Sequence, residues 1–365
     1  MCWAALSELV PLYPLYALLF LDAGLSEGQV SALFAIWSVT ALAAEVPAGA
    51  LADRWSRRGA LALGGLLQAV AFAVWTLAPG FTGFAAGFVV WGVGGALTSG
   101  TAEAVVHDAL EAVGAEGEFG RVNGRMTAAE LLVQLPTALA AGVLFAVGGY
   151  AWVGWASVLV CLAAALLALR FPEPPRDHGD GLLAALREGA GQVARRGPVR
   201  LAVLAVALVG GLDAMEEYWP VVAADRGIEP AVVPAAVLVV ALAGAGGALL
   251  GGRADDLPDG ALPALLGGAG GLLLAAAFVP GPAALALVAV GYALYLAVLV
   301  AAEARLQERI EGAWRATVTS IAGLGIELAA LPVFAAWALG GLPAVAVLVL
   351  AVAPVVGVAL RYPAR

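Results

Sequence analysis

The chain has no lysine, only two histidines and two cysteines, and 12% charged residues over 365 positions. Each shortage excludes something. Without lysine there is no nucleotide-binding loop of the G-x-x-x-x-G-K-[ST] kind. Cys2 and Cys161 are too few for a disulfide framework or a thiolate metal site. Both lie in apolar runs and read as small buried hydrophobes. His107 and His178 lack the companions that a metal site or a hydrolytic nucleophile–base pair needs, so no metal, no cofactor and no enzyme are expected. Arginines scattered over short loops give no nucleic-acid surface. Hydrophobic residues make up 62% of the chain, against about 45–50% in soluble domains. Such a chain cannot cover its surface with polar groups in water, and its main solvent is lipid.

Long apolar runs take the place of charge. A spanning helix needs roughly 20 predominantly apolar residues, and cutting at turns and charge clusters gives twelve runs: 2–22, 27–50, 60–78, 81–104, 126–147, 150–170, 200–222, 230–252, 262–280, 282–304, 316–338 and 340–361. A membrane β-barrel would instead show alternating segments of about ten residues. Tight joints such as Ala78-Pro79-Gly80, Gly148-Gly149 and Gly340-Gly341 imply antiparallel neighbours. The first run is long enough to span and no small-residue cleavage site follows it, so no cleavable signal is expected. With the N-terminus inside, every arginine except Arg226 falls on the cytoplasmic side, a strong positive-inside bias. The expected protein is an all-α multi-pass cell-membrane protein with both termini cytoplasmic. It comprises a six-helix bundle over 1–171, a linker over 172–199 carrying an amphipathic helix (Leu182, Leu183, Leu186, Val193), and a second six-helix bundle over 200–365.

The halves echo one another. Gly49-Ala50-Leu51-Ala52-Asp53 and Gly251-Gly252-Arg253-Ala254-Asp255 end the second run of each half, and the two Gly-Gly turns close the fifth. Parallel six-helix repeats are a transporter signature. GALADRWSRRG, residues 49–59, resembles the loop signature G-x-x-x-D-R-x-G-R-R of the major facilitator superfamily through Gly49, Asp53, Arg54, Arg57 and Arg58. Ser56 stands where that family usually has its second glycine. SGTAEAVVHDAL, residues 99–110, resembles a stretch of a poorly characterised bacterial branch of it. Physically, Gly49 lets a helix end approach a neighbour closely. Asp53 suits a helix N-terminus, and the arginines suit helix C-termini and carboxylates. The resemblance implies that the cluster is a cytoplasmic latch, formed in the outward-open state and broken in the inward-open one. Glu45, one turn from Gly49, and Glu103, His107 and Asp108 at the end of the fourth run read as latch partners, with Asp255 the echo in the second half.

Carboxylates inside the runs are the remaining signal. Each costs roughly 2.5–3.5 kcal/mol at a helix centre and usually faces a cavity. The third, sixth, ninth and twelfth runs have none in their cores, and the resemblance makes those four the peripheral supports. Glu8 lies in a first run broken by Pro11 and Pro14, which free the carbonyls of Ser7 and Val10. Asp213, Glu216 and Glu217, with Pro220, are spaced to share one helix face, and such crowded carboxylates cannot all stay ionised. Tyr218 and Trp219 beside them suggest the headgroup level as the competing reading. Glu327 is some eleven residues into its run, roughly 17 Å deep. The glycines of the fourth run (Gly87, Gly92, Gly94, Gly95) and the eighth (Gly244, Gly246, Gly247) read as close-packing positions.

The expectation is a monomeric secondary transporter, working by alternating access, that exports neutral or cationic small molecules in exchange for protons. No cation lies in the membrane cores of the cavity runs to hold an anion. Antiporters of the resembled family usually carry Gly-Pro late in the fifth run, whereas Pro136 sits early and is not preceded by glycine. Proton-coupled uptake therefore stays open, as does a non-transporting sensor or assembly protein.

Overall fold

The computed structural model describes residues 1–172, 197–252, 260–310 and 315–360, side chains at 53 and 315–317 excepted. Its regular elements are helical. In chain order they are α1 (Cys2–Glu8), α2 (Tyr16–Asp22), α3 (Glu27–Arg54), α4 (Arg57–Leu77), α5 (Phe81–Thr98), α6 (Thr101–Glu111), α7 (Phe119–Ala168), α8 (Gly197–Gly211), α9 (Trp219–Asp225), α10 (Val233–Gly251), α11 (Ala261–Phe278), α12 (Ala284–Arg309) and α13 (Arg315–Ala359). A 3-10 stretch, Leu212–Tyr218, joins α8 to α9. Among the described residues nine helices are long and apolar enough to cross a membrane. Two of them, α7 and α13, are helix pairs merged across kinks at Gly148–Gly149 and Gly340–Gly341. The broken first run, α1 and α2, completes the twelve. The linker helix and Asp255 lie outside the described residues.

The Gly-Gly kinks show the repeat at the level of dihedral angles. Gly148 and Gly149 sit at (−150, 18) and (62, −157), Gly340 and Gly341 at (−163, 18) and (57, −149). Positive φ with ψ near −150° is open essentially to glycine alone. A second match was not anticipated. Asp22-Ala23-Gly24-Leu25 and Asp225-Arg226-Gly227-Ile228 end the first run of each half with the same turn. Gly24 (φ 91) and Gly227 (φ 82) take the left-handed position. Leu25 N donates to Phe20 O at 3.2 Å, and Ile228 N to Ala223 O at 3.1 Å.

The chain divides into two compact units, Met1–Gly179 with Glu229–Ala235, and Asp180–Ile228 with Ala236–Arg365. In the first, α4 packs on α5 and α7, α3 on α5, and α1 on α7. Small residues set these approaches: a Cβ on Gly64 would lie 2.8 Å from the Gly94 carbonyl oxygen, and one on Gly92 3.0 Å from Thr40. Around them sits an aromatic core, with Trp75, Phe20, Phe34, Phe72, Phe84 and Phe88 fully buried. The Trp75 indole donates to Phe84 O at 3.0 Å. In the second unit α13 packs on α8 and α11, and α11 on α12. A Cβ on Gly247 would overlap the Ala293 carbonyl. Gly95 and Gly246 depart from the close-packing expectation, since nothing lies within 4 Å of a Cβ at either. Cys161 is buried as expected, but Cys2 is exposed.

Candidate functional site

The loop signature folds as a helix start. Ser56 caps α4, its hydroxyl accepting from Gly59 N at 2.9 Å. A serine in the family's glycine position is thus an N-cap in use. Arg57, in the first turn, donates to Asp108 Oδ2 at 2.6 Å and to the Ala104 carbonyl at 3.2 Å. Both side chains of this ion pair are about four-fifths buried (20% and 17% exposed), so it is screened less than a surface pair. Arg54 and Arg58 are exposed. The Asp53 side chain lies outside the described residues. Three expectations are corrected here. Among the described residues nothing lies within 4 Å of a Cβ at Gly49, so none of them makes the close approach expected there. Glu103 does not join the arginines but lines the cleft described below. His107 meets the Phe119 ring edge-on at 5.8 Å and, contrary to the expectation that it lacks companions, lies with Asp108 and Glu111, their ligand atoms within 4.8 Å of one another. Glu45 accepts from Ser99 Oγ at 3.0 Å, where Gly100 (φ 65) bends the fourth run between α5 and α6.

The break at Pro11 and Pro14 is stitched rather than open. Leu12 N donates to Ser157 Oγ at 3.0 Å, and Ser157 is fully buried. The Thr137 hydroxyl lies 3.4 Å from the Glu8 carbonyl. Tyr13 N takes up the Val10 carbonyl at 3.1 Å, so that carbonyl is not left free as the prolines suggested. Irregular backbone at membrane depth is tolerated on these terms, buried in protein with its polar groups paired. Below the break a cleft of about 390 Å³ opens within the first unit, with Glu8, Glu103 and Glu130 on its wall. Tyr13 stacks on Trp91 there (5.7 Å, 11°) and accepts a hydrogen bond from Gln68 Nε2 at 2.6 Å.

The seventh run differs from the expectation in a way that changes the site. Leu212–Tyr218 is a 3-10 helix, in which side chains three apart eclipse. Asp213 and Glu216 therefore align, and Glu217, one residue on, turns away by about 120°. The four-residue face expected of an α-helix does not form. Tyr292 of α12 sits against the aligned pair, its hydroxyl 2.9 Å from Asp213 Oδ1 and 3.1 Å from Glu216 Oε2. Tyr295 stacks on Tyr292 (5.7 Å, 27°). Asp213 is half-buried and Glu216 exposed. Tyr218 and Trp219 are buried inside the unit, not at a lipid-facing surface: Tyr218 stacks on Trp337 at 4.1 Å, and Trp219 meets the Tyr292 ring at 5.7 Å. Glu327 is exposed. The sequence reading missed Tyr292, Tyr295, Ser157 and Thr137. The tyrosines, one turn apart in an otherwise aliphatic run (GYALYLA), carried a usable signal; the two hydroxyls carried none.

Paired helices and stitched irregular backbone within long apolar runs are those of a multi-pass membrane protein. A family model described as Major Facilitator Superfamily matches residues 3–333, and the chain belongs to that superfamily. It is a membrane secondary transporter and not an enzyme. Among solved structures it is similar to the nucleoside transporter NupG (13% identity, 99% of this chain and 98% of that chain, TM-score 0.76). It is also similar to a D-xylose-proton symporter (15%, 97% and 96%, TM-score 0.73). A third is a bacterial homolog of the human lysosomal transporter Spinster, inward-facing and unoccupied (15%, 98% and 94%, TM-score 0.74). At such identities the likeness is one of fold. No curated protein matches the chain in sequence.

Proposed function

We propose that the protein couples proton movement to the export of neutral or cationic small molecules, with Asp213 and Glu216 as the proton-carrying pair. The supporting observation is the Tyr292 hydroxyl within hydrogen-bond distance of both carboxylates. A phenol has one hydrogen and donates to one acceptor at a time. The second contact is a hydrogen bond only when that carboxyl carries a proton and donates to the phenol oxygen. The arrangement suits one shared proton, passed between an exposed carboxylate and a more buried one. Glu217, Glu8 and Glu327 are secondary candidates for the same work. The loop cluster of Asp53, Arg54, Arg57 and Arg58 with Asp108, Glu45 and Asp255 is the proposed cytoplasmic latch, and both termini are placed inside on the arginine bias.

Proton-coupled uptake is the second reading, favoured by the missing Gly-Pro in the fifth run, where Pro136 lies inside a continuous helix. Proteoliposomes separate the two. Ethidium, uridine and D-xylose serve as cationic and neutral probes, each offered with an acidic and an alkaline lumen. Accumulation of a probe only into the acidic lumen supports export by exchange. Accumulation only into the alkaline lumen supports uptake. Probe movement indifferent to both gradients contradicts proton coupling.

A further inference from the structure

The cleft inside the first unit is unexplained by a proton pair in the second. Its volume, about 390 Å³, falls within the range of small-molecule sites and is about an order of magnitude more than one water occupies. It is therefore too large for a bare ion and sized for a small organic molecule. The lining sets the chemistry. Three carboxylates, Glu8, Glu103 and Glu130, face it, and among the described residues no arginine or histidine side chain lines it. An anion would meet net negative charge, whereas a cation is attracted to it, and charge out of water is stable only when paired.

The rest of the wall is built for an apolar body carrying that charge. Tyr13 and Trp91 present a stacked aromatic surface, and Gln68, bonded to Tyr13, leaves a carbonyl oxygen able to accept. Aromatic faces and edges take up a ring, and faces attract a cation. Of the glycines along it, Gly95 leaves the wall bare, since a Cβ there would meet nothing described within 4 Å. The cleft reaches the surface at Ser99, Gly100 and Glu103, all exposed, so a molecule can enter without unfolding the unit.

We propose that this cleft is a binding site for a small organic monocation, an amine or quaternary ammonium group bearing one ring. The ammonium sits among Glu8, Glu103 and Glu130, and the ring lies against Tyr13 and Trp91. The site belongs to the first unit alone, and occupancy does not require that its ligand be transported.

The test is equilibrium binding of tritiated benzyltrimethylammonium to the full-length protein in detergent, with benzyl alcohol as the neutral comparison. One saturable site is expected, weakened at least tenfold in Glu8→Gln/Glu130→Gln and unchanged in Asp213→Asn/Glu216→Gln. Gly95→Leu provides a second variant: Gly95 lines the cleft and nothing described lies within 4 Å of a Cβ there, so the added side chain starts in open space on the cleft wall. It should abolish binding while leaving the thermal unfolding midpoint near that of the parent. Binding that survives both first-unit variants, or that is lost only in Asp213→Asn/Glu216→Gln, overturns the proposal. So does equal competition by benzyl alcohol. Because the readout is binding, a failure of proton coupling in the second unit leaves this result unaffected.

Discussion

Each half of the protein opens with an interrupted helix, and the two interruptions are made differently. In the first unit Pro11 and Pro14 break the run by covalent constraint, and neutral hydroxyls, Ser157 and Thr137, take up the backbone groups released. In the second the run tightens into the 3-10 stretch Leu212–Tyr218, and the groups brought together are carboxylates bridged by Tyr292. The turns that follow are alike in both. A repeat can therefore keep its backbone frame, glycine for glycine, while the chemistry at the frame's weakest point diverges. One break supports a cleft, and the other aligns two acids.

The frame gives the largest expected stability effects. Valine at Gly149 or at Gly341 must adopt a positive φ that a β-branched residue resists, and each substitution should cost about 1–3 kcal/mol. Thermal unfolding in detergent should show losses that agree between the halves to within about 1 kcal/mol. A loss confined to one half would break the equivalence of the two kinks.

Next comes the difference in how the breaks are held. Ser157→Ala leaves Leu12 N buried without its acceptor and should cost about 1–3 kcal/mol. Tyr292→Phe should cost less, under about 1 kcal/mol, because Glu216 is exposed and exchanges the phenol for water. Comparable losses in the two variants would mean that the Tyr292 bridge is structural in the same sense as Ser157.

The last pair, which includes the smallest effect, concerns the echoed glycines. Gly251→Ala brings a Cβ against the Ala297 backbone and should destabilise by about 1–3 kcal/mol through overpacking. Gly49→Ala meets open space and should stay within about 0.5 kcal/mol of the parent. Equal losses would return Gly49 to the close-packing role that its sequence context suggests.

These cases mark what was legible. The Gly-Gly kinks and the proline break could be read directly, because glycine and proline fix backbone geometry locally whatever surrounds them. The Arg57–Asp108 pair was within reach, since the arginine bias and the helix ends placed both at one face. Ser157 could not be found, because its partner, Leu12, is a backbone amide far away in the chain, and a serine in an apolar helix ordinarily bonds its own preceding turn. Nothing in LDAMEEY distinguishes a 3-10 stretch from an α-helix, so α-helical spacing puts Asp213, Glu216 and Glu217 on one face where the structure aligns only the first two. Gly49 illustrates the opposite limit: a motif position identifies the family without stating what the residue touches.

The central claim is that the Tyr292-bridged acids carry the coupling proton. Its most direct test compares pH-driven accumulation with equal-pH exchange of whichever probe the wild-type protein accumulates, in proteoliposomes containing Asp213→Asn/Glu216→Gln or Tyr292→Phe. The double variant should lose accumulation at least tenfold while exchange at equal pH persists, and Tyr292→Phe should fall between it and wild type. Full pH-driven accumulation in the double variant would contradict that claim.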